Sequence, residues 1–288
     1  MHKGDSNDNT LNQKKGRPGR PKKHLGQHFL QDPEIISQII ETADIHKEDV
    51  IVEIGPGRGA LTFRMAEIAS EVIAIEIDSA IVENLKERAA SYPGLTIVEA
   101  DALQFPYHQI GAKFKVVANL PYYMSTPILF RLIELSDMVS SMTIMLQKEV
   151  AERVVASPGS KDYGILSIAV QFYALPEIAF NVSRKKFYPE PKVDSSVLKI
   201  VPREKVAVDV RNEGLFWGLI KSAFYYRRKT LLNSLSLSGH SKEIIKNVLD
   251  MAGIDQNRRP EDVGMEEWGK IADTLMEFMM SEQKRHKF

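Results

Sequence analysis

Short apolar runs and longer stretches of amphipathic spacing take turns along the chain. "DPEIISQIIETA" places Asp32 before Pro33 and then Ile35, Ile36, Ile39 and Ile40 on one face, which predicts a helix opened by a side-chain cap. "DVIVEIG" follows as a compact apolar run ending in glycine, then a helical "ALTFRMAEIAS", a strand "EVIAIEI" and a helical "AIVENLKERAA". The alternation continues through the strands "LTIVEA", "FKVVAN" and "SMTIMLQ" and the helices "TPILFRLIEL", "KEVAERVVA" and "ILSIAVQFYA". Two further strands, "EIAFNVS" and "SVLKIV", close the series. This order predicts an α/β fold with a mostly parallel, doubly wound, Rossmann-like sheet covered on both faces. On such sheets ligands bind at the carboxyl ends of the strands.

Beyond Pro202 the pattern changes. "LFWGLIKSAF", "EIIKNVLDMAG" and "WGKIADTLMEFMM" have helical spacing with no strand among them, so residues 204–288 read as a small all-helical domain after a sheet domain at 25–203. Residues 1–24 are polar, rich in Gly and Pro, and carry Lys3, Lys14, Lys15, Arg17, Arg20, Lys22 and Lys23 against Asp5 and Asp8, which predicts a disordered basic tail.

Composition narrows the chemistry. The absence of cysteine excludes disulfides, thiolate catalysis and Cys-based metal sites, and the seven histidines lack metal-ligand spacing, so no metal is expected. No apolar run reaches membrane-spanning length and the N-terminus lacks the apolar core of a secretory signal, which predicts a cytoplasmic protein with no membrane partner. The formal net charge of zero argues neither for nor against an anionic partner.

The strand ends carry the candidate chemistry. "EIGPGRGALT" puts Gly55, Gly57 and Gly59 in the first strand-to-helix turn, where they permit close backbone approach to a nucleotide or nucleoside. The spacing is G-x-G-x-G rather than the dinucleotide fingerprint, and Glu53 immediately precedes it. Glu76 ends the second strand, where a carboxylate can accept from ribose hydroxyls, and Asp101 follows the third. The fourth strand ends "NLPYY".

This alternation resembles the S-adenosylmethionine-dependent methyltransferases. The resemblance implies that Gly55 and Gly57 face the methionine portion of the cofactor, Glu76 its ribose and Asp101 its adenine amino group. It also implies that Gln27, His28, Phe29 and Leu30 of "GQHFL" close over it, and that Asn119 borders the transferable methyl. An exocyclic adenine amine is a poor nucleophile because its lone pair is delocalised into the ring. Donating its two N–H groups to the Asn119 side-chain oxygen and the Leu120 carbonyl would free that lone pair, while Tyr122 stacks on the flipped-out base. Phe187, in the proline-stiffened "KKFYPEPKVDSS", is the expected opposite wall.

Together "QHFL", "EIGPGRGALT", "IEID" with "EADAL", "NLPYY" and "FYPEPKVDSS" resemble the ribosomal RNA adenine N6,N6-dimethyltransferases, from about Leu25 to the end. The resemblance implies dimethylation of two adjacent adenosines near the 3′ end of small-subunit ribosomal RNA, with the small ribosomal subunit as partner and a monomeric enzyme. In "FYYRRKTLLNSL", Arg227, Arg228 and Lys229 form a basic cluster suited to RNA phosphates. The tyrosine pair Tyr225–Tyr226 departs from the smaller or amide residues relatives often carry there. Two alternatives remain at this stage: a macrolide-resistance methyltransferase acting on large-subunit RNA, and an assembly factor for which catalysis is optional.

Overall fold

The computed structural model describes residues 27–226 and 228–285; the tail expected over 1–24 and the site expected at Arg227 lie outside the described residues. A two-residue strand β1 (Phe29–Leu30) leads into α1 (Pro33–Ala43). Asp32 caps that helix by accepting from the Glu34 and Ile35 amides at 3.1 Å each. Parallel units follow: β2 (Val50–Ile54), α2 (Thr62–Ala66), β3 (Glu71–Glu76), α3 (Ser79–Ala89), β4 (Leu95–Glu99), β5 (Phe114–Asn119), α4 (Ser125–Glu134) and β6 (Val139–Gln147). After them come α5 (Lys148–Val155), α6 (Ile165–Tyr173), β7 (Ala174–Val182), β8 (Phe187–Tyr188) and β9 (Ser195–Pro202). The helices α7 (Glu213–Tyr225), α8 (Leu231–Leu235), α9 (Lys242–Ala252) and α10 (Met265–Arg285) complete the described chain.

The seven-stranded sheet runs β4-β3-β2-β5-β6-β9-β7. Its first five strands pair in parallel, and β9 joins antiparallel to both β6 and β7. Alternation along the strands divides the core. Val52, Ile54, Ile73, Ile75, Val116 and Ala118 pack under α4, α5 and α6, whereas Ile51, Val72, Ala74 and Val117 pack under α1, α2 and α3. Apolar side chains on both faces are the reason these strands read as near-continuous hydrophobic runs.

A third core joins the C-terminal helices to the sheet layer. Phe172 and Ile168 of α6 pack with Phe216 and Ile220 of α7, Leu249 of α9 and the fully buried Trp268 of α10. The last strand ends at Pro202, and no strand follows it among the described residues.

Three local features differ from the sequence reading. The helix expected across 60–70 is regular only over Thr62–Ala66, because it lacks a side-chain cap at Leu61 and its far end tightens into a turn in which the Ile68 amide bonds the Met65 carbonyl. β7 starts at Ala174, three residues before the expected run, and takes in Pro176, which an edge strand tolerates. The two-residue pair β1–β8 lies apart from the main sheet, with Phe29 opposite Tyr188 and Leu30 opposite Phe187.

Candidate active site

Because β2, β3, β4 and β5 are parallel, their carboxyl ends emerge along one edge. Ile54 is level with Ile75 and Ala118, so Gly55, Glu76 and Asn119 follow at the same height, and Asp101 lies just past the end of β4. An open cleft of about 800 Å³ is bounded by Gln27, His28, Phe29 and Leu30 on one side and by Glu53, Gly55, Gly57 and Glu76 on another. Asn119, Leu120, Tyr122 and Tyr123 bound its third side. Asp101 lies in an adjoining recess of about 420 Å³ that shares Gly55, Glu76, Pro121 and Tyr123 with the cleft.

The glycine turn is shaped by what packs on it. Gly57 has φ 53°, and a Cβ there would come within 3.1 Å of the Phe29 ring; at Gly59 (φ 80°) one would meet Phe63 at 2.3 Å. The bare backbone lets β1 lie close over the turn. Arg58 adds to this contact, its guanidinium 4.5 Å from the centre of the Phe29 ring.

Two buried carboxyls face the cleft from adjacent strands. Glu76 accepts from the Ile77 and Asp78 amides at 3.0 Å through Oε1 and from Gly57 at 3.4 Å through Oε2, which leaves Oε2 with capacity for a further donor. Burial raises its carboxyl above the ordinary value, against the pull of those amides. Glu53 is buried, with no hydrogen-bond partner for Oε2 among the described residues. Burial pushes its carboxyl up to about 8, and the Glu76 charge adds to the rise. Asp101 is held by the Leu103 amide at 2.9 Å on one oxygen, the other having only a 3.5 Å contact from Gln104.

The "GQHFL" segment is tied down at several points. Gln27 Nε2 donates to Asp78 at 3.0 Å, and Asp78 also caps α3 through the Ala80 amide. His28 Nδ1 donates to the Pro189 carbonyl at 2.6 Å, the Gln31 amide bonds the Lys186 carbonyl, and Lys186 pairs with Asp32. The "FYPEP" loop is thus a strap across the cleft-covering strand. Phe187 does not itself line the cleft: it is buried opposite Leu30, which does, and Tyr188 is the exposed ring of the pair.

Asn119 ends β5 with its amide oriented. Nδ2 donates to the His28 carbonyl at 3.3 Å, and since a carbonyl can only accept, Oδ1 is the atom left to receive a donor. The Tyr122 ring stacks with His28, centroids 5.4 Å apart, and its hydroxyl bonds Ser195 Oγ at 3.0 Å. Arg228 and Lys229 lie exposed beyond the end of α7. Glu53, Asp78 and Ser195 were not among the expected site residues. Glu53 had a readable signal, an ionisable side chain inside the apolar run "VIVEI".

Comparisons with known proteins point to one family. A sequence model described as ribosomal RNA adenine dimethylase matches residues 19–277. The chain belongs to that family. A ribosomal RNA small subunit methyltransferase A from Alkaliphilus oremlandii (strain OhILAs) is 44% identical over 261 residues, 88% of this chain and 91% of that one. The crystal structure of a dimethyladenosine transferase from Plasmodium falciparum superposes with TM-score 0.75 at 30% identity, covering 88% of this chain and 98% of that chain. The 23S rRNA methyltransferase ErmE superposes with TM-score 0.66 at 26% identity, covering 86% and 99%.

As a ribosomal RNA adenine dimethylase, the chain is an enzyme that uses S-adenosylmethionine to methylate rRNA adenine. The glycine turn, bare of side chains at Gly55 and Gly57, and the spare acceptor capacity of Glu76 on the same strand edge fit a cofactor that carries ribose hydroxyls. Among the described residues, no group of three His, Cys, Asp or Glu is arranged to hold a metal ion, and no helix is long and apolar enough to cross a membrane.

Proposed function

We propose that the enzyme dimethylates N6 of two adjacent adenosines near the 3′ end of small-subunit ribosomal RNA, acting in the cytoplasm as a monomer on the small ribosomal subunit. The nearer likeness to a small-subunit methyltransferase, at 44% identity against 26% for ErmE, supports this target over large-subunit RNA.

The observation that carries the chemistry is the oriented carboxamide of Asn119. Its Oδ1 and the Leu120 carbonyl accept the two N–H groups of the target amine. The nitrogen then pyramidalises and its lone pair becomes available. S-adenosylmethionine supplies the electrophilic methyl on its sulfonium. Tyr122, braced by Ser195 and His28, stacks on the extruded base, a contact worth roughly 1–3 kcal/mol. No strong base is needed, because the proton leaves from a cationic product. Rate enhancement comes from positioning and from acceptors that strengthen as charge develops on the amine.

On the cofactor side, Gly55 and Gly57 lie against the methionine portion, the free capacity of Glu76 Oε2 takes a ribose hydroxyl, and Asp101 accepts from the adenine amino group. Gln27, His28 and Leu30 cover the ligand. Phe187 acts as a positioning residue that holds Leu30 in place. Arg227, Arg228 and Lys229 contact RNA phosphates.

The test is methyl transfer from labelled S-adenosylmethionine to small subunits lacking adenine dimethylation, with mass spectrometry of the digested RNA. Dimethyladenosine at two neighbouring positions near the 3′ end is expected. Label in large subunits alone, or none despite subunit binding, would overturn the proposal.

A further inference from the structure

The last turn of α7 ends in two aromatic rings that the fold does not use. Ala223 and Phe224 are buried, yet Tyr225 is 78% and Tyr226 42% exposed. The two rings meet almost at right angles, centroids 4.7 Å apart and planes at 74°, forming an open corner. Lys229 holds one wall: its Nζ lies 4.7 Å over the Tyr226 ring and its amide donates to the Tyr226 carbonyl. Among the described residues, no cation lies over the Tyr225 ring.

The surroundings select the occupant. Lys221, Arg228 and Lys229 are exposed nearby, on the same helix and just past its end. Flat aromatic walls flanked by cations suit a base carried on a phosphate backbone. The helix direction is also suitable. α7 starts beside Tyr173, whose hydroxyl donates to Glu213, and reaches Tyr163 near the start of α6 with Phe224. Tyr173 adjoins the first residue of β7, and β7 runs in the same direction as β6, since both pair antiparallel with β9. The end of α7 therefore points toward the side of the sheet on which the cleft opens.

We propose that the Tyr225–Tyr226 corner receives an unpaired nucleobase of the ribosomal RNA substrate, stacked on Tyr225, while Arg228 and Lys229 contact the adjoining phosphates. This rests on the reading of that basic segment as an RNA backbone contact. It adds a base anchor outside the catalytic cleft.

The experiment measures equilibrium binding of the full-length chain to unmethylated small subunits across a KCl series. It compares wild type with Tyr225→Ala/Tyr226→Ala, Tyr225→Phe/Tyr226→Phe and Arg228→Ala/Lys229→Ala. The alanine pair is expected to weaken binding about 5- to 100-fold. It should leave the slope of log affinity against log salt at the wild-type value, and the phenylalanine pair should recover most of the loss. The cation pair should lower the slope by about 0.7–0.9 per contact removed. An unchanged thermal midpoint and S-adenosylmethionine affinity confirm the fold of each variant.

If the alanine pair binds as wild type while the cation pair lowers the slope, the base anchor is refuted and the backbone contact stands. If neither pair changes binding, both readings of the segment fall. A loss that phenylalanine does not recover would assign the effect to the hydroxyls and refute stacking. A wild-type dimer in sedimentation that the alanine pair dissociates would give the corner to a second copy of the chain instead.

Discussion

Glu53→Gln offers a direct measure of what the cleft imposes on its own acid. The side chain is buried and one oxygen lacks a partner, so the neutral form is favoured and the carboxyl is raised from 4.5 to about 8. Between those values the folded protein keeps a proton that the unfolded chain has lost. Stability therefore falls as pH rises, by about 1.4 kcal/mol per unit. Below pH 4.5 both states are protonated and this contribution vanishes. At pH 7 it amounts to a destabilisation on the order of 3 kcal/mol, and above pH 8 it levels off near 5 kcal/mol. Glutamine matches the shape of the protonated acid and does not titrate. Denaturant unfolding of cofactor-free wild type and Glu53→Gln from pH 4 to 9 should give a difference near zero at the acid end, with the variant increasingly the more stable toward pH 8. Subtraction removes the titrating groups that do not interact with Glu53. A flat difference curve would refute the assignment of a strained, cleft-facing acid.

Asn119→Ala should lower kcat for methyl transfer by about 10²–10³-fold while S-adenosylmethionine affinity stays near wild type in calorimetry, since the side chain is assigned to the target amine. Gly57→Ala combines a positive φ with a Cβ pressed on Phe29; it should destabilise by about 1–2 kcal/mol in thermal melts and weaken cofactor binding. Phe187→Ala should destabilise by about 3–5 kcal/mol, as for a buried ring; a variant of unaltered stability with impaired turnover would return Phe187 to the wall of the base pocket.

The parallel half of the sheet was readable because each strand there is buried on both faces and flanked by a helix of distinct period. The line of Gly55, Glu76 and Asn119 followed from strand ends alone, since parallel strands put all of them on one edge. The miniature pair β1–β8 was not readable, because two residues are too short for any period, and its partners stand far apart in the chain. That is also why Phe187 reads as a pocket wall: in the sequence a basic pair and a proline-stiffened loop flank it, and nothing local shows the pairing with Leu30 that buries it. Glu53 stands just before the glycine turn in the sequence, but its charge state depends on burial that only packing reveals. Asp78 caps α3, and its second bond, to Gln27, crosses between segments that no local pattern connects.

The strap over the cleft also bears on how the enzyme is made. His28 meets Pro189 across 161 residues of sequence, and Lys186 meets Asp32 across 154. A chain emerging from the ribosome in order presents the glycine turn, Glu76 and Asn119 long before the residues that close β1 over them exist. Ser195, which braces Tyr122, arrives later still. The strand-end edge can therefore assemble early in synthesis, but the covered, braced cleft becomes available only when about two thirds of the chain has been translated.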